Sequence, residues 1–189
     1  MKTTTLFFLA SLTITVAMAQ QRDYYEEIPE LPENYTAGTV AGRMVDGLGF
    51  RFYWATADLR PEDLTYRPAE DTRTILETVD HIYSMSVMIY NAVHKTSEKS
   101  DNSLSFEAKR KQALLNFEKV SKVLKASKPE DMESYEVIGR TTNYPFWNLI
   151  NGPIADCLWH CGQIVSHRRA AGNPFNSNVS VFMGKLRSN

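Results

Sequence analysis

The chain has only two cysteines among 189 residues, so no disulfide scaffold can hold it and its fold must stand on an apolar core. It has almost no net charge, a formal −1, and therefore lacks the clustered basic excess that marks a nucleic-acid surface. Beyond the first 19 residues no apolar run approaches membrane-spanning length, and no repeat of solenoid period is present. There is no glycine-rich phosphate loop, no dinucleotide fingerprint, no Gly-x-Ser-x-Gly elbow and no His-Glu-x-x-His helix. The spacing Cys157, His160, Cys161 also excludes the Cys-x-x-Cys-His haem attachment. What is there is 43% hydrophobic and 23% charged residues, the balance of one ordinary globular domain.

Met1 to Ala19 reads as a signal peptide: Lys2 is the positive start, Leu6 to Val16 the apolar stretch, and Ala17-Met18-Ala19 the small-residue end. Cleavage is expected after Ala19, giving an exported, periplasmic or secreted chain with no mature membrane anchor; the stretch is short for the alternative of an uncleaved anchor. Residues 20–36, with Asp23, Glu26, Glu27, Glu30 and Glu33 around Pro29 and Pro32, read as an acidic, proline-broken arm. Residues 175–189 form a tail.

Between them, apolar residues recur at helical spacing four times. The first stripe is Ala41, Val45, Leu48, Phe52, Ala55 and Leu59, stopped by Pro61; the second is Ile75, Val79, Ile82, Ser86, Ile89 and Val93. Phe106, Ala113, Leu114, Phe117, Val120 and Leu124 make the third, closed by Pro129. The fourth, Ile154, Leu158, Cys161, Ile164, Val165 and Ala171, ends at Gly172-Asn173-Pro174 after a short helical turn at Tyr144 to Trp147 and a kink at Gly152-Pro153. No alternating strand stands out. Four helices that each bury one face predict an all-α fold, a four-helix bundle over residues 37–174. The connections near Pro61 to Glu70, roughly a dozen residues, and near Pro129 to Thr142 are long for a bundle and allow crossovers.

The residues with chemistry to offer lie on helices two and four. With about 100° per residue, His81 falls about 100° from the Ile82 centre of its stripe, and His160 about 100° from Cys161. Asp156 and His160, one turn apart at i and i+4, point the same way, the spacing two ligands on one helix need. His81 is the natural third member of a set of two imidazoles and one carboxylate. On pattern alone the other reading stays open: boundary histidines and a simple i,i+4 polar contact. Glu77 is either a support for the ligands or a solvent-facing charge. His167 lies about 10 Å further along its helix, too far to share the ion, and His94 points away from the His81 edge toward solvent. Cys157 and Cys161 read as small buried apolar residues, and their i,i+4 spacing on a helix disfavours a disulfide.

The run Asp156-Cys-Leu-Trp-His160-Cys-Gly162-Gln163-Ile164, with Arg168, Arg169, Gly172, Asn173 and Pro174 after it, resembles the last helix of the DinB-like superfamily. His81, within Glu77-Thr-Val-Asp-His81-Ile-Tyr, is similar to that family's helix-two position, and the likeness spans about Gly38 to Pro174. The resemblance implies a four-helix bundle with long crossovers and a divalent metal on one His of helix two and two positions of helix four. Carried onto this chain, the ligands are His81, Asp156 and His160, with Asp156 where the family has a histidine and Cys161 where it often has an arginine. Gln163 and Glu77 would support the ligands from behind. The implied cofactor is a divalent transition metal, zinc or nickel first, iron or manganese next. The implied activity is a metal-dependent hydrolase or thiol-dependent transferase acting on a small molecule. Against it stands a non-catalytic metal- or ligand-binding bundle or interaction protein, with a second copy of the chain as the candidate protein partner.

Overall fold

A computed structural model describes residues 24–188. The leader, its cleavage after Ala19 and the first residues of the acidic arm lie outside them. Within this span the protein is all-α in class. Four long helices carry the core: α1 (Ala37–Thr56), α3 (Ile75–His94), α4 (Phe106–Ala126) and α7 (Ala155–Ala170). Three short ones lie between them: α2 (Pro61–Leu64), α5 (Pro129–Glu133) and α6 (Phe146–Leu149).

The expected stripes are the buried faces. Val45, Leu48, Phe52 and Ala55 of α1 meet Ile75, Val79, Ile82 and Ile89 of α3, Ala113, Phe117, Val120 and Leu124 of α4, and Ile154, Cys157, Cys161 and Ile164 at α7. These spacings of three and four residues put each set on one side of its helix. Phe52 and Phe117 meet edge to face with centroids 6.1 Å apart, the arrangement the ring quadrupole favours. Helix α1 packs on α4 and α7, and α3 packs on the same two. The long helices that follow one another in sequence, α1 and α3, thus sit across from each other, which accounts for the long connection between them. Where α1 crosses α4 there is no room for a side chain: a Cβ on Gly38 would run into the Leu124 carbonyl oxygen.

Both Pro61 and Pro129, expected as stops, instead occupy the first position of a new short helix, where a missing N–H costs nothing. The kinked start of the fourth helix is a π turn over Ile150–Ile154 that contains Pro153 and runs directly into α7. A wider turn relieves the loss of the proline's hydrogen bond and the clash of its ring with the preceding turn. At the other end Gly172 adopts φ +79°, the left-handed C-terminal stop its position predicts.

Two small hairpins correct the strand-free expectation. β1 (Glu136–Ile138) pairs antiparallel with β2 (Asn143–Pro145), Val137 opposite Tyr144, and β3 (Val179–Ser180) pairs with β4 (Lys185–Leu186). Two or three residues each are too few for a periodic signal to be seen. The described parts of the acidic arm and of the tail are not free segments. Tyr25 is buried and donates to Asp46 (3.1 Å), the Trp54 indole donates to the Glu26 carbonyl (3.1 Å), and the Ile28 amide donates to the Gly184 carbonyl (2.8 Å). They cover a second apolar face of α1, with Phe50, Trp54 and Val179 at its centre. Asp46, fully buried in α1, also takes an ion pair from Lys125 of α4.

The end of α7 is tied to the end of α1 by a buried cation. Arg168 is 2% exposed, and its Nη1 donates to the carbonyls of Trp54 (3.2 Å), Ala55 (3.1 Å) and Ala57 (2.8 Å). Its Nε donates to the Asn173 carbonyl at 2.8 Å. These carbonyls at and just beyond the end of α1 have no intrahelical donor of their own, and the guanidinium meets them with the charge sign the helix dipole favours. Nearby, Asp63 accepts from the Arg60 side chain (2.7 and 3.0 Å), the Arg60 amide (2.8 Å) and Asn173 Nδ2 (2.6 Å), locking α2 to the residues after α7.

Two stability predictions follow from these ties. Arg168→Met leaves buried carbonyls unsatisfied and is expected to cost about 3 kcal/mol, read as a shift in urea midpoint, while the same change at exposed Arg140 stays within about 0.5 kcal/mol. Arg60, first by its side-chain hydrogen bonds, holds the Asp63 carboxyl well below the usual carboxylate range. A lowered value stabilises the fold at pH above about 4, the unfolded value, and that stabilisation is lost as pH falls through the folded one. Asp63→Asn is therefore expected to lower stability at pH 7 and to flatten its decline on acidification, measured by urea titration from pH 7 to pH 2.

Candidate metal centre

The two helices that carry the candidate ligands face each other, because α3 and α7 are packed neighbours. Helix α3 is started sharply by a capping box: Glu77 N–H donates to Thr74 Oγ1 (3.1 Å) and Thr74 N–H to Glu77 Oε2 (2.7 Å). That start places His81 under two turns into the helix, at the rim of the buried stripe. On α7, Asp156 is in the first turn and His160 one turn later, both on the side turned toward α3.

The result is a compact cluster. One ligand-capable atom each of His81, Asp156 and His160 lies within 4.8 Å of the others. His81 Nε2 is 2.8 Å from Asp156 Oδ2, and His160 Nε2 is 3.4 Å from the same oxygen. The two imidazoles stand edge to face, centroids 4.7 Å apart. Side-chain exposure falls from 42% at Asp156 to 25% at His81 and 11% at His160, so the cluster is rooted in the protein and open at the carboxylate.

Gln163 decides the chemistry of His160. Its Oε1 lies 2.6 Å from His160 Nδ1 and can only accept, so Nδ1 carries the proton and Nε2 presents its lone pair to the cluster. A second neighbour agrees: Arg73 Nη1, a donor only, approaches the same Nε2 at 3.4 Å. With the imidazole neutral, Asp156 Oδ2 and His160 Nε2 are two acceptors facing each other at 3.4 Å, an arrangement that a proton or a metal ion between them would satisfy. The three residues could hold a metal ion. Two imidazoles and a carboxylate suit a borderline divalent ion, and three protein donors leave coordination positions unfilled.

The sequence expectations divide accordingly. His81, Asp156, His160 and Gln163 come together. Glu77 does not join them: its carboxylate is engaged in the α3 cap and lies 3.7 Å from Arg67. The cap signature Thr74-x-x-Glu77, readable in the sequence, identifies this role. His167 is separate, its ring against Tyr66 and its buried Nδ1 without a hydrogen-bond partner among the described residues, and burial lowers its pKa. His94 is half-buried rather than solvated, stacked on Tyr90 at 3.9 Å. Arg73 is the residue sequence reasoning missed. It sits in the loop just ahead of the α3 cap, where no helical period reports what a side chain faces.

Cys157 and Cys161 are both free and buried on the core side of α7. Burial pushes the Cys161 thiol up to about 12 and raises Cys157 well above its ordinary value. Neither is a nucleophile for this centre, since the thiolate is the reactive form.

A cleft of about 690 Å3 between the arm, α1, α7 and the tail is lined by Leu31, Tyr35, Val40, Met44, Leu158 and Phe182 among others, and by none of the three clustered residues. Comparison of the chain with family models, curated proteins and solved structures finds no match. What the centre does is therefore read from its own residues.

The raised thiol values give a direct check. At pH 8 the folded protein should leave both cysteines unmodified by a disulfide reagent such as Ellman's, and both should react once the chain is unfolded in guanidinium. Rapid labelling of the folded protein would refute the burial of these thiols.

Proposed function

We propose that this chain is an exported, DinB-like four-helix bundle that holds a divalent transition metal on His81, Asp156 and His160 and uses it to hydrolyse a small-molecule substrate. One observation carries the reading: two acceptors, Asp156 Oδ2 and His160 Nε2, face each other at 3.4 Å with His81 Nε2 beside them. The closed circuit of α1, α4, α3 and α7 supports the bundle. The leader-like first 19 residues support export, and no described helix is long and apolar enough to cross a membrane.

When bound, a divalent ion supplies Lewis acidity near neutral pH. The protein's own residues do the rest. His81 Nε2 and Asp156 Oδ2 lie 2.8 Å apart, and each would have to offer a lone pair to hold the ion. Gln163 keeps the His160 tautomer fixed, and Asp156 contributes the single negative charge of the set. The exposed side of Asp156 is the route by which substrate reaches the centre. Export to a compartment poor in small thiols favours water over a thiol as the nucleophile.

The 2.8 Å bond between His81 and Asp156 also fits a second reading, in which the three residues merely hydrogen-bond one another. Elemental mass spectrometry separates the two. Wild-type protein reconstituted with zinc, nickel or manganese should retain about one equivalent of metal, and His81→Ala and His160→Ala should retain none while keeping their helical circular dichroism. Metal content unchanged in both variants would overturn the proposal. Gln163→Leu is expected to keep the fold and weaken metal affinity by about 10–100-fold, measured by competition with a chelating dye.

A further inference from the structure

We propose that Arg73 makes this centre selective for an anionic ligand, a substrate bearing a carboxylate or phosphate group that the guanidinium holds beside the ion. The inference rests on the metal-centre reading and names the substrate class it leaves open.

Arg73 is presented to the centre from a fixed post. It directly precedes Thr74, whose capping box anchors the start of α3, and the Ile75 amide is bonded to the Tyr66 carbonyl at 3.1 Å. From there its Nη1 reaches 3.4 Å from His160 Nε2, on a helix 87 residues later in the chain. A guanidinium is always charged and cannot itself bind a metal. In the metal-free protein it partly neutralises the converging acceptors. Once His160 Nε2 is given to an ion, Arg73 loses that acceptor and remains as a second positive charge next to the first.

On α3 the Glu77 carboxylate is close enough to act on Arg73, but its hydrogen bonds go to the helix cap and it is shared with Arg67. Asp80 is paired with Lys109 at 2.9 Å. Asp156 is the one carboxylate of the ligand set, so a divalent ion held there with two neutral imidazoles leaves positive charge beside Arg73. An incoming anion relieves the imbalance. A planar fork with five donors suits the paired oxygens of a carboxylate or phosphate, and such charge-assisted bonds are the stronger kind. Access is available, since Arg73 is exposed and Asp156 is 42% exposed.

Cobalt-loaded protein provides the test, because the visible absorption of the ion reports both its binding and the arrival of an anion. Wild type, Arg73→Met and Arg73→Lys are titrated first with cobalt, then with acetate and with inorganic phosphate. Arg73→Met is expected to bind cobalt at least as tightly as wild type, since a repelling cation is gone. Its affinity for the preferred anion should fall about tenfold or more, with Arg73→Lys in between. Whichever of acetate and phosphate binds wild type more tightly identifies the group on the substrate. Equal anion affinity in wild type and Arg73→Met overturns this inference alone. So does weaker cobalt binding in Arg73→Met, which would make Arg73 a structural support of His160. Failure of the wild type to bind cobalt, or undiminished binding in His160→Ala, overturns the metal-centre reading itself. The thermal midpoint of Arg73→Met, expected within about 2 °C of wild type for an exposed side chain, excludes unfolding as the cause.

Discussion

The Arg168 guanidinium, sunk among the carbonyls at the end of α1, is the contact on which the arrangement of the molecule turns. A buried cation without a carboxylate in direct contact would be costly in any other setting, because its lost hydration must be replaced by well-aimed acceptors. Here the end of a helix supplies them ready-made. In return α7 is held against α1 at its far end, while Ile154, Cys157, Cys161 and Ile164 press its inner face into the core. With both position and rotation of α7 fixed, the residues on its remaining edge are held toward α3.

That edge carries Asp156, His160 and Gln163, and its chemistry follows from one short hydrogen bond. By accepting a hydrogen bond from His160 Nδ1, Gln163 turns Nε2 toward a carboxylate oxygen. Core packing alone would not hold two acceptors at that distance. The pair has the His81 imidazole on one side and the Arg73 guanidinium on the other. The packed helices that carry these groups fix them in place, so their donors and acceptors must be satisfied where they stand.

Much of this was legible in the sequence, and the reasons differ by residue. The four long helices were readable because Val45, Leu48 and Phe52, or Ile75, Val79 and Ile82, repeat at the period of the helix itself. The pairing of Asp156 with His160 was readable for the same reason, and that of His81 with them from its matching place on the edge of the helix-two stripe. What periodicity cannot report is a partner brought in by the tertiary fold. Arg73 reaches His160 from a loop, and Arg168 reads in the sequence as one more charge at a helix end, though it is among the most deeply buried side chains. The second apolar face of α1 escaped notice because Phe50 and Trp54 face the arm and tail rather than the main core. Glu77, left open between a support for the ligands and a solvent-facing charge, is exposed and serves the α3 cap, a role its local signature Thr74-x-x-Glu77 carries.

The π turn before α7 has a consequence for how such a centre can be kept. Leu149 and His160 are eleven residues apart, and on an uninterrupted α-helix they would point within about 20° of each other. The extra residue accommodated between Ile150 and Ile154 takes back about 100° of rotation and leaves them about 80° apart, so that Leu149 fills the core while His160 faces a neighbouring helix. Loss of one residue from that turn would close it to a regular helix with the two ten residues apart, which again leaves them about 80° from each other. The wide turn thus takes up a residue locally and keeps core face and ligand face in their directions on either side of it. Length at this point can change by one residue without turning the binding edge away from the helix it faces.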